Sequence, residues 1–297
     1  MSDTATAVRE RAGTARSDTR AVRRRMAGRA LTYGFLIVLA VVYIFPFLIA
    51  IATSFKTEPN ATANPLGLAP SPVTTSAFHE LYKDNDFATW VKNSAILTLS
   101  ITFLRLFLDS LAGYALARLR FRGRGAAFAT IVAVMAVPGV VLLIPKFLMI
   151  RELGMYDTYY GMIVPLLVDA AGVFIMKNFF ESIPVSVEES ARIDGASLFR
   201  IYWSIVLPMA RPALVTIFIL SFQASWNELA HFIISAQSAS LNTLTKGVAQ
   251  LASGQLGAGT RYPLKLAAST LMTIPVAVLF FIFQRRIMGT QAGAVKE

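Results

Sequence analysis

Six stretches of mostly apolar residues alternate with polar segments along the chain. Each stretch is about as long as a helix that crosses a bilayer, which needs roughly 20 mainly apolar residues. The pattern predicts an all-α membrane protein with six transmembrane helices. The second, fourth and fifth stretches also carry polar residues, which need a reason inside a membrane. The stretches are about 31–54, 93–117, 126–148, 159–177, 213–235 and 264–284.

The composition favours a membrane protein over a soluble helical one. Apolar residues make up 55% of the chain and charged residues 15%, and the mean hydropathy is +0.58. The first stretch is longer than the apolar region of a signal peptide, about 7–15 residues, and is therefore predicted to be an uncleaved span. The sequence has no cysteine, which excludes disulfides and iron–sulfur clusters.

The positions of Lys and Arg predict the orientation, because cytoplasmic segments are enriched in both. With six spans and a cytoplasmic N-terminus, the cytoplasmic segments hold nineteen Lys and Arg residues and the outside segments hold eight. Both termini are therefore predicted to be cytoplasmic. The net charge of +11 does not require nucleic acid, since its excess lies in the N-terminal tail and in residues 117–125, where it suits contact with anionic membrane lipid.

The chain divides into three segments by composition. Residues 1–29 are basic, lack apolar periodicity and are predicted to be a disordered cytoplasmic tail. Residues 30–290 hold the six spans, and residues 291–297 form a short C-terminal cytoplasmic tail. Between the fourth and fifth spans, about 184–212 is a charged segment on the predicted cytoplasmic side.

This charged segment is predicted to form two short helices. Ser186 followed by Glu189 has the spacing of a capping box, so the first helix is expected from Val187 to Asp194. Gly195 suits a left-handed turn after it. A second short helix is expected from about Ser197, which gives a compact cytoplasmic projection.

The spacing of residues within this segment matches a known signature. Glu189-Ser190-Ala191 is followed after three residues by Gly195, and after nine more by Ile205-Val206-Leu207-Pro208. The segment resembles the EAA loop of binding-protein-dependent ABC importer permeases, with Ser190 in place of the second residue. Asn93–Arg124, Phe179–Ser197, Ser225–Leu229 and the ending GTQAGAVKE resemble the maltose-type small permease subunit of the carbohydrate-uptake branch.

The resemblance implies a type I ABC importer permease, a multi-pass protein of the bacterial cytoplasmic membrane. Its implied partners are a second homologous permease subunit, a cytoplasmic ABC ATPase dimer and an extracellular or lipid-anchored substrate-binding protein. The chain has no G-x-x-x-x-G-K-[ST] sequence, so ATP and Mg are expected on the ATPase and no cofactor on this chain. The resemblance implies that the tail 291–297 reaches the ATPase dimer interface, and a frayed terminus is the alternative.

In such permeases the EAA loop enters a cleft of the ATPase as a coupling helix. The resemblance therefore implies that the coupling residues lie around the glycine turn, with apolar anchors and a polar rim. These candidates are Glu188, Glu189, Ala191, Arg192, Asp194, Gly195, Ala196, Leu198 and Phe199.

Ionisable residues within the spans are candidates for structure or transport. Arg105 and Asp109 are four residues apart and are expected to form an ion pair on one helix face. Asp169 either lines a cavity or forms an interhelical hydrogen bond. Span five is expected to carry one polar stripe, which either lines a water-filled path or joins helices, and its members are Gln223, Asn227, Glu228 and His231.

The path candidates are acceptors and amides, which suit hydroxyl groups, and the only buried cation is expected to be neutralised. The expected cargo is therefore a neutral sugar or oligosaccharide, with another polyol or a glycerol-phosphate-type solute as the alternative. Trp226 or Tyr114 would offer a stacking face or belong to the core. A self-contained transporter and an intramembrane enzyme are the rival classes. Two histidines and no cysteine argue against a metal site.

Overall fold

The protein is described here by a computed structural model, which places residues 3–254 and 261–293. These residues form helices, turns and loops, with no β-strand among them. The α-helices are α1 (Asp3–Ser54), α2 (Glu58–Ala63), α3 (Ser76–Asp84), α4 (Phe87–Arg118), α5 (Arg124–Met135), α6 (Leu143–Glu152), α7 (Tyr159–Ile163), α8 (Ala170–Ser182), α9 (Val185–Ile193), α10 (Leu198–Ile201), α11 (Leu207–Met209), α12 (Arg211–Trp226), α13 (Ala230–Ser235), α14 (Leu244–Ser253) and α15 (Tyr262–Gly293). Gly139–Leu142, Val164–Leu166 and Ala239–Leu241 are 3-10 turns, and Tyr202–Val206 is a π-helical turn.

The all-α membrane fold predicted from the sequence is confirmed. Three helical segments among the described residues are each long and apolar enough to cross a membrane, namely Gly28–Ser54, Phe87–Arg118 and Tyr262–Gln284. Three further candidates are pairs of helices bent at a short break, so the described residues supply up to six spans. The bends are 102° between α5 and the Gly139–Glu152 segment, 43° at the α7–α8 pair and 77° before α12.

Helix α4 is the centre of the bundle and packs against α8, α12 and α14. Its approach to α8 depends on Gly113, where a β-carbon would lie 2.6 Å from the Met176 β-carbon. Helix α15 packs against α1, α3 and α14. Between Leu31 and Ile51, α1 carries mostly exposed apolar side chains outside these contacts, as expected of a helix that faces lipid.

The N-terminal segment differs from its prediction. Helix α1 begins at Asp3, so the backbone of residues 3–29, expected to be disordered, is helical. The absence of apolar periodicity removes a buried face but does not oppose helix formation. Ala and Arg are frequent in this segment and have high helix propensity.

Span five also differs from its prediction of 213–235. Helix α12 ends at Trp226, and Asn227 forms its C-cap. The chain resumes a helix only at Ala230, in α13. The predicted polar stripe therefore does not lie along one continuous helix, because the periodicity that relates Gln223 to His231 is interrupted.

Candidate functional site

The charged segment forms a projection of two short helices, as predicted, but its start differs. Helix α9 begins at Val185 with Pro184 at its N-cap and no side-chain capping bond. The capping box of Ser186 and Glu189 is therefore wrong. Proline fits this position because the first helical N–H groups have no intrahelical partner.

The turn of the projection has the geometry that its glycine suggested. Gly195 has φ +79°, a left-handed conformation that strains residues carrying a β-carbon. No atom lies within 4 Å of the position a β-carbon would take, so backbone strain rather than collision is the cost of substitution. Helix α10 then begins after Ser197, whose Oγ accepts a hydrogen bond from the Arg200 N–H at 3.4 Å.

One face of the projection is packed onto the bundle. Ala191, Ile201 and Val206 are buried in one cluster with Tyr114 of α4. In the same cluster, the Tyr202 hydroxyl lies 2.7 Å from the Ser110 Oγ of α4. The projection is thus continuous with the spanning helices, so that its displacement would be transmitted to them.

Glu188 was predicted as a coupling contact, and the structure places it inside the protein instead. Its side chain is 2% exposed, and its Oε1 lies 2.9 Å from the Arg118 Nε. Its Oε2 accepts hydrogen bonds from Arg192 and from the Tyr114 hydroxyl, each at 3.3 Å. Arg118 also donates to the Ile183 carbonyl. Glu188 therefore anchors α9 to the end of α4.

The opposite face of the projection carries the exposed candidates. Leu198 is 51% exposed and Phe199 is 68% exposed. Glu189, Arg192 and Asp194 are also exposed, whereas Ala191 is buried and Ala196 is half-buried.

Two further exposed apolar residues join this face and were missed in the sequence. Ile193 is 86% exposed, and the ring of Trp203 is stacked on that of Phe199 with centroids 6.3 Å apart. The sequence carried a signal for Ile193, which is an apolar residue between Arg192 and Asp194, whereas Trp203 lies between Tyr202 and Ser204 and had no such signal. The coupling face is here defined as Ile193, Leu198, Phe199 and Trp203. It has the apolar centre and polar margin of a protein interface.

Within the spans, the predicted Arg105–Asp109 ion pair is not formed among the described residues. Arg105 donates from Nε and from a terminal nitrogen to the Leu166 carbonyl, at 3.0 and 2.7 Å. Asp109 accepts from the Asp169 N–H at 3.1 Å. The two side chains instead hold the two ends of the break between α7 and α8, where unpaired backbone groups need partners.

Asp169 lies at this break and caps α8, since its side chain accepts from the Gly172 N–H at 3.1 Å. Gly172 is required for the fit, because a β-carbon there would overlap the Asp109 carboxylate. Asp169 is half-buried. Its capping bond lies within α8 and is therefore not the interhelical hydrogen bond that was one alternative, and cavity lining stays a prediction.

His231 lies in the core of the protein and not on the predicted path. It is 1% exposed, and its Nε2 lies 3.2 Å from the Met162 carbonyl and 3.1 Å from the Ser235 Oγ. Glu228 accepts from the His231 N–H at 2.9 Å and so starts α13. These contacts join α13 to α7.

Gln223 and Asn227 remain exposed at the C-terminal end of α12. The Asn227 side-chain amide donates to the backbone carbonyl of Gln223 at 2.9 Å. The Gln223 side chain itself forms no hydrogen bond among the described residues. Trp226 and Tyr114 offer no stacking face, because each is 5% exposed and packed in a core cluster. The Trp226 indole N–H donates to the Met272 carbonyl at 3.0 Å.

A bundle with broken spans and a two-helix projection is the architecture of an importer permease, and comparisons identify it as such. Residues 109–288 match the family described as binding-protein-dependent transport system inner membrane component. The chain belongs to this family, and it is a multi-pass inner membrane protein.

Relatives and solved structures agree with this family across most of the chain. The chain is 32% identical over 270 residues to an arabinooligosaccharides transport system permease of Halalkalibacterium halodurans, covering 90% of this chain and 95% of the relative. It is 31% identical over 279 residues to a polygalacturonan/rhamnogalacturonan transport system permease of Bacillus subtilis, covering 90% and 97%. A crystal structure of a bacterial ABC transporter that imports the acidic polysaccharide alginate matches with a TM-score of 0.78 and 26% identity, covering 88% and 96%.

The C-terminal tail 291–297 extends past the described part of the chain, since residues 294–297 lie outside it. Its expected contact with the ATPase therefore stays a prediction. The same holds for the orientation of both termini.

Proposed function

We propose that this chain passes a saccharide across the membrane as one of two permease subunits of an ATP-driven importer. The saccharide is received from an extracellular or lipid-anchored binding protein and released into the cytoplasm by alternating access. The observation that carries the proposal is the projection of α9 and α10. It combines a buried face tied to α4, a left-handed glycine turn and an exposed apolar face.

ATP hydrolysis is assigned to a separate cytoplasmic ATPase dimer, which holds ATP and Mg, and this chain binds no cofactor of its own. The coupling face enters that dimer, with Glu189, Arg192 and Asp194 at its margin. Burial of α9 against α4 makes the projection a rigid lever, because packed cores move as units rather than bending continuously. Closure of the ATPase would thereby move α4, α8 and α12 together.

The cargo is proposed to be a neutral sugar or oligosaccharide. Gln223 and Asn227 are exposed on α12, and Asp169 is half-buried at the break before α8. Amides and carboxylates suit hydroxyl groups. Arg105 gives two of its donors to the Leu166 carbonyl and is therefore poorly placed to bind an anion. The alginate importer transports an acidic polysaccharide, so a charged saccharide or a glycerol-phosphate-type solute is the alternative.

The coupling assignment is tested at Gly195 in the assembled transporter. Gly195→Val should insert normally and lose substrate-stimulated ATP hydrolysis, since a β-branched residue is strained at this φ. Gly195→Asn is the matched control and should retain most stimulation, because Asn tolerates the left-handed conformation. Full stimulation in Gly195→Val would remove the coupling assignment.

The cargo is tested by uptake of neutral sugars and their phosphates into vesicles that contain the assembled transporter. Neutral sugars should be preferred, and Gln223→Ala and Asn227→Ala should reduce their uptake. His231→Ala is not informative here, because His231 is a core residue. Preference for the phosphates would reject the neutral-sugar assignment, and wild-type uptake in both variants would remove these residues from the path.

A further inference from the structure

A basic groove lies where α4, α5 and α9 meet, on the side predicted to be cytoplasmic. Its volume is about 540 Å³. Four arginines and two glutamates line it, which leaves two positive charges in excess. The uncharged lining residues are Ala117, Leu119 and Val185, and the charged ones are Arg118, Arg120, Arg124, Arg192, Glu188 and Glu189.

Three of these four arginines already have partners within the protein. The buried Glu188 is satisfied by Arg118, Arg192 and Tyr114. Arg124 donates to the Ala117 carbonyl at 3.1 Å and contacts Glu181 at 3.3 Å. A guanidinium has five N–H donors, so each of these side chains keeps donors for a further acceptor.

Arg120 differs from the other three arginines. It is exposed and forms no hydrogen bond or ion pair with the residues that the structure describes. Arg122, two residues on, is also exposed and lies in the same loop beside the groove rather than in its lining. Phe121 lies between them and is 47% exposed. An exposed aromatic ring between two arginines is the composition of a segment at the membrane surface, where rings enter the interface and cations meet headgroups.

The depth of the groove agrees with this composition. The spanning helix α4 ends at Arg118, and α5, the first part of the next span, begins at Arg124. The intervening loop 119–123 must therefore lie at the bilayer surface. Since the predicted orientation puts this end on the cytoplasmic side, it faces the leaflet that carries anionic lipid.

We propose that this groove binds the phosphate of an anionic phospholipid headgroup, held by Arg120 and by the free donors of Arg118 and Arg192. Glu189 at the rim opposes the anion, but Glu188 is neutralised within its own network. A bound headgroup would bridge the end of α4 to α9. It would thereby stabilise the packing of the projection on the spanning helices.

The test uses the detergent-purified full chain and native mass spectrometry with added phosphatidylglycerol, phosphatidylcholine of the same acyl chains, or inorganic phosphate. Phosphatidylglycerol should be retained in preference to phosphatidylcholine. Arg120→Gln/Arg122→Gln should weaken its retention by about 25-fold, since each Arg near a surface contributes roughly a factor of five. Both side chains are exposed, so folding should be unaffected.

Arg200→Gln/Arg211→Gln is the matched control, because it removes the same charge on the same side outside the groove. Equal losses in both double variants would overturn the proposal in favour of general electrostatics. Equal retention of both lipids would overturn it too. Binding of inorganic phosphate as tight as that of phosphatidylglycerol would replace the lipid by a soluble anion. Normal lipid retention with lost ATPase assembly in Arg120→Gln/Arg122→Gln would assign the groove to the partner protein.

Discussion

Glu188 and Glu189 are adjacent acidic residues to which the structure gives opposite roles. Glu188 is buried and bonded to three side chains, whereas Glu189 is exposed. Glu188→Ala should therefore destabilise the chain itself, and Glu189→Ala should leave its stability unchanged and weaken coupling to the ATPase. The pair separates an internal anchor from a surface contact in one experiment.

The size of the Glu188 effect follows from what it leaves behind. The Arg118 side chain is 9% exposed and would lose its carboxylate partner. Removing one member of a buried ion pair costs about 3–5 kcal/mol. Arg118 would keep its bond to the Ile183 carbonyl, so the expected loss is at the lower end, about 3 kcal/mol. Glu188→Gln keeps the shape and part of the bonding, and should cost about 1.5–3 kcal/mol.

The assay is thermal unfolding of the detergent-purified chain, followed by intrinsic fluorescence, with each variant compared to the wild type. The midpoint should fall most for Glu188→Ala, less for Glu188→Gln and not at all for Glu189→Ala. An unchanged midpoint for Glu188→Ala, together with lost ATPase stimulation in the assembled transporter, would refute the role of Glu188 as an internal anchor. Glu188 would then be a contact of the ATPase, as the sequence predicted.

Two further predictions concern the break in span four and the loop that contains Asp157. Arg105→Met removes both bonds to the Leu166 carbonyl. Uptake by the assembled transporter should fall by roughly tenfold, the equivalent of losing one hydrogen bond to a charged group at about 1.5 kcal/mol, while Arg105→Lys retains part of it. Normal uptake in Arg105→Met would mean the break needs no such support. Hydrogen bonds from the Ser238 hydroxyl and the backbone N–H groups of Gln237 and Ser238 lower the pKa of Asp157. Its contribution to stability is therefore present above its unfolded pKa, about 3.9, and is lost as the pH falls through the lowered value. Asp157→Asn should flatten the acid limb of a thermal-unfolding pH series, and an unchanged limb would show that Asp157 does not contribute.

The spans and the projection could be predicted because they depend on local signals. Apolar length gives the spans, and Gly195 marks the turn wherever the rest of the projection lies. The breaks within the spans were harder to predict, although Asp169 gives a signal for the break between α7 and α8. An Asp three residues before Gly172 has the spacing of an N-cap, which indicates a helix start within the fourth apolar stretch.

The side-chain partners could not be predicted, because they come from distant parts of the chain. Arg118 and Glu188 are seventy residues apart in sequence and meet only after α4 and α9 pack together. Arg105 and Asp109 have the spacing of an ion pair, yet backbone groups at the α7–α8 break compete successfully for both. The spacing along a helix shows which side chains are close enough to pair. Unpaired backbone groups nearby can bind those side chains instead.

The proposed function requires that this chain transport only as part of an ATP-driven assembly. The most direct measurement is saccharide uptake into proteoliposomes that contain either the purified chain alone or the transporter assembled with its second permease and ATPase, each with and without ATP. Uptake is expected only by the assembly and only with ATP. Uptake by the chain alone would contradict it and would identify a self-contained transporter.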